Sequence, residues 1–516
     1  MDKLEVGFDS NEKGLAEIKL LIKDGKLEDA RHFFKKFIKK KELSPTELIS
    51  YFILKSSLSI YFFQVPDHLK YAEKAYQKRH NLSISLLLVD AYIHKANALM
   101  WKFKSRDSFK ILEKAENLLK MLTNESLQEL MERKASILYT RGFNYYDLNE
   151  IDNALECARK ALDLRKKLNY KADIAFSYWQ LGWICYLNNN ILALEFTKRG
   201  IESCKIINCL ILNYELYVLE SLIYFSIGEL DQALDSCKLG KAIFDEISEE
   251  IKTDFETGRF FHVMGMIYHE KDHLDKAKEL FERSLELKKG GVKNMSIGAT
   301  IDELITLSLE MGDMKSARFY LNELKEVYVQ LDNPLGEIGY LLASAKLLKA
   351  SDLASDQEKA QKIFKECLED KVSNPEFRVT ALLNITDMFF SELRKTNTVK
   401  LIDDIKEFVN QIHDIAKSQN SFSLMAENYL LRAKLELLHL DLKAAQLSLD
   451  EAQEIAVKYG LNQLNRRILI EQDELITEFE KWERLRRTKA KMADLMNITH
   501  LEDQLTRMLR KGFAFN

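Results

Sequence analysis

One pattern of three residues returns at nearly even intervals along most of the chain. An apolar residue is followed three positions later by a small residue, and four positions after that by a bulkier one. The clear copies are Leu27/Ala30/Phe34, Leu69/Ala72/Tyr76, Ile151/Ala154/Ala158, Leu230/Ala233/Cys237, Leu274/Ala277/Phe281, Met314/Ala317/Leu321, Ala360/Phe364 and Leu442/Ala445/Leu449. Weaker copies lie around Ser108, Ala193 and Asp404. Successive small residues are 36 to 46 positions apart, and this period with helical spacing inside each copy predicts stacked helical hairpins.

There is a physical reason for the small residue in the middle of each copy. An alanine where two antiparallel helices cross lets their backbones approach, and the bulky residue one turn later fills the gap towards the next hairpin. Each hairpin then buries its apolar face only against its neighbours. We therefore predict an all-α fold, a right-handed superhelical solenoid of about eleven antiparallel helical hairpins.

In the better copies, the helix that precedes the three-residue pattern also carries small and aromatic residues at regular positions. Segment 135–161 presents Leu138, Gly142, Tyr145, Ala154 and Ala161, and a later copy presents Gly265, Tyr268, Ala277 and Phe281 in the same register. These residues resemble the tetratricopeptide repeat family, and the resemblance extends over about residues 10–460. The family's usual unit has about 34 residues, whereas units here have about 40, which predicts a variant with longer helices.

The repeat pattern ends near Gly460. We expect residues 1–460 to form the solenoid and residues 461–516 to form a long capping helix and a short tail helix. Leu464 to Met492 is predicted as one charged helix with an apolar stripe at Ile468, Leu475, Phe479 and Trp482. Such a helix would cover the open apolar face of the last hairpin. Ile498 to Leu509 is predicted as the tail helix, folding back.

Composition excludes several classes of protein. The formal net charge is only −4 and the basic residues are spread along the chain, so we expect no nucleic-acid ligand. The six cysteines form no CxxC pair and are expected to be reduced thiols packed in the interior. No stretch reaches the roughly 18 consecutive apolar residues that a membrane span needs. These observations predict a cytoplasmic protein without a membrane span.

Tetratricopeptide hairpin stacks are curved, and the resemblance implies that the first helices line the concave side. A candidate partner-binding strip on four of these helices consists of Tyr139, Phe143, Tyr146, Trp179, Trp183, Tyr186, Leu222, Phe225, His262, Met266 and His269. Exposed, these side chains would form a groove for a helix or an extended segment with apolar anchors. Alternatively, they are core between neighbouring first helices. The sequence leaves both readings open.

A second candidate surface is basic. It consists of Arg484, Arg486, Arg487, Lys489 and Lys491, near the end of the predicted capping helix. These residues either bind an acidic partner or form a solvated face that complements the negative end of the helix dipole. Some family members hold a peptide carboxylate with Lys, Asn and Arg on successive first helices, but the corresponding positions here are mostly apolar.

Two common motifs of catalytic and cofactor-binding sites are not found. The sequence has no phosphate-binding GxxxxGK[ST] loop and no GxSxG elbow. His262, His269 and His273 lack a Cys or carboxylate at a spacing that would complete a tetrahedral metal site. We therefore expect no enzyme activity, no metal and no cofactor.

These observations together favour a protein-interaction scaffold or adaptor that binds another protein or a peptide segment in its concave groove. The alternative is a ligand-responsive regulator whose superhelix changes shape when a peptide or another effector binds. The two hypotheses differ in one measurable property, since an adaptor keeps its dimensions on binding and a regulator does not. The partner's identity and the oligomeric state stay open.

Overall fold

The structure is a computed structural model. It describes residues 11–37, 43–148, 150–186, 190–249, 252, 254–289, 295–331, 334–368, 374–477, 482, 484–485, 488 and 491–511. Within these residues the secondary structure is helical and no strand occurs, so the predicted all-α class is confirmed. None of the described helices is long and apolar enough to cross a membrane.

From α1 to α22 the helices pair in chain order as antiparallel hairpins. The first helices of the hairpins are α1 (Asn11–Lys23), α3 (Pro45–Tyr61), α5 (Leu86–Met100), α7 (Leu127–Asp147), α9 (Lys171–Tyr186), α11 (Leu210–Ser226), α13 (Asp254–Glu270), α15 (Met295–Glu310), α17 (Pro334–Lys349), α19 (Pro375–Thr396) and α21 (Phe422–Leu438). The second helices are α2 (Leu27–Phe37), α4 (Val65–Lys78), α6 (Ser105–Met121), α8 (Ile151–Leu168), α10 (Asn190–Ile207), α12 (Leu230–Glu246), α14 (Leu274–Lys289), α16 (Met314–Leu331), α18 (Ala354–Glu366), α20 (Leu401–Ser418) and α22 (Leu442–Lys458). The solenoid architecture is confirmed, while the hairpin number and the right-handed sense stay predictions.

The small residues of the repeat lie where the helices of a hairpin pack closely. All eight alanines of the clear copies have no exposed surface: Ala30, Ala72, Ala154, Ala233, Ala277, Ala317, Ala360 and Ala445. Two of the weaker copies also hold, since Ser108 and Ala193 are fully buried. The copy at Asp404 is wrong, because that side chain is exposed and α20 buries Ile402 and Ile405 instead.

Capping residues begin the first helices α3 and α19. Ser44 accepts a hydrogen bond from the Glu47 amide, and the Glu47 carboxylate accepts one from the Ser44 amide, which is a complete capping box. Asn374 caps α19 by accepting a hydrogen bond from the Phe377 amide. Pro45 and Pro375 follow these caps at the first helical position, where a missing N–H costs nothing.

First helices of neighbouring hairpins also pack directly on each other, from α1 through α13 and again from α15 through α19. We call the surface formed by the first helices the inner wall. The superhelix is tight enough for distant hairpins to touch, since α1 contacts α9. A Cβ on Gly25, in the turn after α1, would lie 2.8 Å from Ile207 Cγ2 at the end of α10. Further along the chain, Gln463 Nε2 donates to Glu229 Oε2 at 3.3 Å, which joins α23 (Asn462–Thr477) to the turn before α12.

The C-terminal region contains α23 (Asn462–Thr477), α24 (Met492–Ile498) and α25 (Leu501–Lys511). The predicted stripe is buried at Ile468, Leu475 and Trp482, while Phe479 lies outside the described residues. A single helix as far as Met492 is wrong, because Lys491 has extended backbone and caps a new helix. The division at residue 460 stays a prediction.

Five of the cysteines are buried, as predicted for packed thiols, and Cys157 is half-buried. None of the six forms a disulfide. Burial raises the pKa of Cys237 to about 11, so this thiol stays protonated and unreactive at neutral pH.

The repeat register is testable at Ala277. We expect Ala277→Leu to lower the free energy of unfolding by roughly 1 to 3 kcal/mol, because extra methyl groups overpack a closed helix crossing. Thermal unfolding followed by circular dichroism measures this effect. The matched control is Ala354→Leu, at an exposed position of α18. Equal melting of both variants would show that the register is wrong.

Candidate functional site

A cavity of about 170 Å³ lies on the inner wall in the N-terminal half of the solenoid. Most of its lining comes from five first helices, α1, α3, α5, α7 and α9. Protein cavities of about 150 Å³ admit a benzene-sized group, so this one has room for a side chain of a ligand. Its lining is rich in charged and hydrogen-bonding groups: Lys19, Lys23, Ser57, Tyr61, His68, Asp90, His94, Asn97, Glu132, Arg133, Ser136, Tyr139, Thr140, Arg165, Tyr170 and Asp173.

Contacts between distant hairpins hold the N-terminal edge of the cavity. Lys23 Nζ donates to Glu132 Oε2 at 2.7 Å, which ties α1 to α7. Burial alone would lower the pKa of Lys23, but the attraction of Glu132 raises it, so the lysine is charged. The Tyr61 hydroxyl donates to Asp173 Oδ1 at 2.7 Å and joins α3 to α9. The cavity therefore exists only because the superhelix brings these helices together.

Two arginines form the charged floor of the cavity. Arg133 is 3% exposed and binds Asp90 through two hydrogen bonds, Nε to Oδ1 at 3.0 Å and Nη2 to Oδ2 at 2.7 Å. Arg165 donates to Ser177 Oγ at 2.7 Å, and its guanidinium lies 4.3 Å from the centroid of the Tyr139 ring. Such paired, preoriented groups can recognise a polar ligand without rearrangement.

A pair of histidines contributes neutral groups to the lining of the cavity. Ser56 Oγ lies 2.8 Å from His68 Nδ1 and 3.0 Å from His94 Nδ1. Burial lowers the pKa of His68 to about 3 and that of His94 to about 4, so both rings are uncharged at neutral pH. His94 Nε2 also lies 3.3 Å from Ser57 Oγ.

The indole nitrogens of Trp179 and Trp183, both on α9, are buried and make no hydrogen bond of standard geometry with any described residue. Burying a polar group without a partner costs about 1 to 3 kcal/mol. Indole nitrogens only donate, so an acceptor such as a peptide carbonyl would satisfy Trp179 and Trp183.

The structure places the predicted aromatic strip on the inner wall but leaves none of its eleven residues exposed. Tyr139, Trp179, Phe225 and His269 are buried. The others are half-buried: Phe143, Tyr146, Trp183, Tyr186, Leu222, His262 and Met266. Only Tyr139 also lines the cavity. The partner-binding role of the strip stays a prediction.

Part of this strip is covered by an N-terminal hairpin. The Trp179 ring lies 5.4 Å from the ring of Phe63, in the turn between α3 and α4, and 5.5 Å from the ring of Phe143. Trp183 contacts Tyr186 at 5.8 Å. The tight superhelix thus turns an aromatic face of α9 into a contact between distant hairpins.

The other predicted candidates are separated from this cavity. Arg484 and Lys491 of the basic surface are exposed, and Arg486, Arg487 and Lys489 lie outside the described residues. His269 is 2% exposed and its Nε2 lies 3.1 Å from Glu310 Oε2. His262 Nδ1 lies 3.1 Å from Thr300 Oγ1.

Sequence reasoning missed the polar residues of the cavity. The missed signal was a set of polar residues inside an otherwise apolar first helix, since Asp90, His94 and Asn97 follow each other at spacings of four and three in α5. Residues at these spacings share one face of a helix. A polar stripe on an otherwise apolar helix is therefore a signal for a polar cavity, and not only for a face exposed to solvent.

Comparisons with known proteins agree with this architecture. Residues 135–168 and 258–290 match the tetratricopeptide repeat model. These two segments are therefore tetratricopeptide repeats, and the chain has the helical-repeat fold that its sequence predicted. No curated protein matches its sequence.

Two similar solved structures are of one quorum sensor. The apo form of the quorum sensor NprR from B. thuringiensis has a TM-score of 0.52 and 14% identity, and the match covers 77% of this chain and 98% of that one. NprR in complex with its cognate peptide NprX has a TM-score of 0.50 and 12% identity, covering 72% of this chain and 99% of the other. At such identities the likeness establishes the shared fold.

Proposed function

We propose that the protein is an interaction scaffold or adaptor that binds a peptide, or a peptide-like segment of another protein, at the cavity between α1, α3, α5, α7 and α9. The observation that carries this proposal is the polar lining contributed by five consecutive first helices. Its donors and acceptors suit a peptide backbone, and its volume suits one anchoring side chain.

A second candidate function is that of a ligand-responsive regulator. It is favoured by the contacts that close the cavity, Lys23 with Glu132 and Tyr61 with Asp173, because they join separate hairpins and a ligand between them would alter the superhelix. The likeness to NprR, a peptide-binding quorum sensor, supports this candidate at the level of the fold. Small-angle X-ray scattering distinguishes the candidates, since a regulator changes its radius of gyration on binding and an adaptor keeps it.

The proposal assigns no catalytic role to the chain and places it in the cytoplasm. Within the described residues no group of three His, Cys, Asp or Glu side chains is arranged to hold a metal ion.

Blocking the cavity tests the proposal. Peptides selected from a phage-displayed library of random linear sequences on the intact protein would be measured by fluorescence anisotropy against Ser136→Tyr. Ser136 lines the cavity and is half-buried, so the larger side chain occupies the space a ligand needs. We expect binding to weaken by roughly tenfold or more, which corresponds to at least about 1.4 kcal/mol.

The matched control is Ser355→Tyr, the same substitution at an exposed position of α18. It should leave peptide affinity unchanged. Peptides that bind Ser136→Tyr as tightly as the intact protein would place the binding surface outside the cavity. Circular dichroism of both variants establishes that they are folded.

A further inference from the structure

The C-terminal helix α25 lies against the inner wall in the second half of the solenoid. It packs on three first helices, α13, α19 and α21, although α13 is far from it in the chain. Its apolar face consists of Leu501, Leu505 and Met508, none of which has exposed surface. The spacing i, i+4, i+7 is the one with which an amphipathic helix fills a groove. The helix α25 therefore occupies this wall as a bound helical peptide would.

Polar contacts position the first half of α25. Arg394, near the end of α19, forms a two-pronged ion pair with Glu502, with Nε to Oε1 at 2.9 Å. Gln504 Nε2 donates to the buried Glu427 Oε2 at 2.8 Å. Paired, directional hydrogen bonds of this kind set the register of α25 on the wall.

The basic end of α25 enters an acidic pocket of the inner wall. Arg510 lies 3.1 Å from Glu310 and 3.2 Å from Asp272, and Lys511 Nζ lies 3.6 Å from Glu427. The pocket also contains Glu270, whose pKa is raised by burial and lowered by the nearby charge of Lys511. Glu270 Oε2 is buried and makes no hydrogen bond with any described residue.

One histidine links this pocket to the neighbouring hairpin. His269 lies 3.1 Å from Glu310 and 3.8 Å from Glu303. Burial alone would lower the pKa of His269, but Glu303 and Glu310 raise it to about 9, so its charge offsets part of the acidic pocket. Around the acidic pocket the wall supplies more carboxylates than cations. Arg510 and Lys511 of α25 neutralise the excess negative charge.

We propose that α25 is a displaceable internal ligand, and that the wall formed by α13, α19 and α21 is a second binding site, for an amphipathic helix of a partner protein. The partner helix would match α25 in chemistry, with apolar residues at i, i+4 and i+7 and two basic residues at its C-terminal end. Charge complementarity with the acidic pocket selects such a helix. While α25 is docked, the site is closed to a partner.

Reversing the two charges at the end of α25 tests this proposal in the full-length chain. In the double variant Arg510→Glu, Lys511→Glu, both side chains face carboxylates, while the apolar face is kept. We expect hydrogen–deuterium exchange in α25 to accelerate. A fluorescein-labelled synthetic peptide with the sequence of residues 498–511 should bind the double variant roughly tenfold or more tightly than the intact chain, because the internal competitor is removed.

Arg507→Glu is the matched control, since it makes the same charge change on the exposed face of α25. It should leave both exchange and peptide affinity as in the intact chain. Unchanged exchange in the double variant, or equal peptide affinity for all three proteins, would overturn the proposal. Loss of the cooperative thermal transition in the double variant would also overturn it, because α25 would then be a permanent part of the core.

The α25 helix that occupies the wall can also come from a second copy of the chain. Light scattering that finds a dimer for the intact protein and a monomer for the double variant would show α25 bridging two copies, and would overturn the internal competition. The inference does not depend on the proposed cavity ligand. Ser136→Tyr should leave α25 exchange unchanged, so the two proposals fail separately.

Discussion

Replacing Arg133 by Met should lower the free energy of unfolding by about 3 kcal/mol. Arg133 is almost fully buried and makes two hydrogen bonds to Asp90. The methionine fills similar space but leaves the Asp90 carboxylate, 21% exposed, without its partner in the wall of the cavity. Thermal and urea unfolding followed by circular dichroism measure this loss.

Two further variants show whether the ion pair is the cause. Arg133→Lys keeps the charge but loses the planar fork, so an intermediate loss is expected. Adding Asp90→Asn to Arg133→Met removes the unpaired charge and should recover part of the stability, giving a double variant that costs less than the sum of the two single changes. Additive losses would contradict a direct interaction between these side chains.

Replacing Lys288 by Met should raise the free energy of unfolding by about 3 to 5 kcal/mol at pH 6. Lys288 is 1% exposed, and its amine donates to Thr300 Oγ1 at 2.8 Å and to the Ser296 carbonyl at 3.3 Å, both uncharged acceptors. Burial, assisted by Arg259, lowers the pKa of Lys288 from 10.5 to about 7. His262, whose Nδ1 lies 3.1 Å from the same Thr300 Oγ1, is neutral because burial lowers its pKa.

The direction of the pH dependence follows from these pKa values. Between about pH 7 and 10.5 the unfolded chain holds a proton on Lys288 and the folded chain does not, so stability falls as the pH is lowered through this range. Below about pH 7 both states are protonated and the cost of the buried charge is constant. The advantage of Lys288→Met should therefore be largest at pH 6 and should shrink towards pH 10.

Lys289→Met is the matched control, because Lys289 is adjacent and half-exposed and pairs with Glu323 at 2.7 Å. A surface ion pair contributes about 0 to 1 kcal/mol, so this variant should melt close to the intact protein at every pH. Thermal unfolding at pH 6, 8 and 10 measures both variants. A constant difference between Lys288→Met and the intact protein across this range would mean that Lys288 titrates normally.

The hairpin register was predictable because its determinants are local. Ala154 and Ala277 stand at helix crossings inside single hairpins, and Ser44 caps the helix that follows it directly. Such contacts join residues that are close in the chain, so the helical period reveals them. Asp404 failed as a copy because α20 packs through the larger side chains of Ile402 and Ile405 and needs no small residue there.

The cavity and the docked helix were not predictable in the same way. Lys23 meets Glu132 and Arg510 meets Glu310 only after the superhelix has turned far enough to bring distant hairpins together. The angle between successive hairpins sets this turn, and small differences in packing add up along the solenoid. The same accumulation decides whether Trp179 faces a groove or packs against Phe63.

The sequence by itself determined the all-α class, the repeated hairpin and the buried alanines, because helical period and close packing act over one or two turns. Tertiary structure alone decided which polar residues share the N-terminal cavity and where α25 docks, because both depend on the summed rotation of many hairpins. The difference lies in the separation along the chain of the residues in contact. Local packing joins neighbouring residues, whereas closure of the superhelix joins side chains more than a hundred positions apart, such as Lys23 and Glu132.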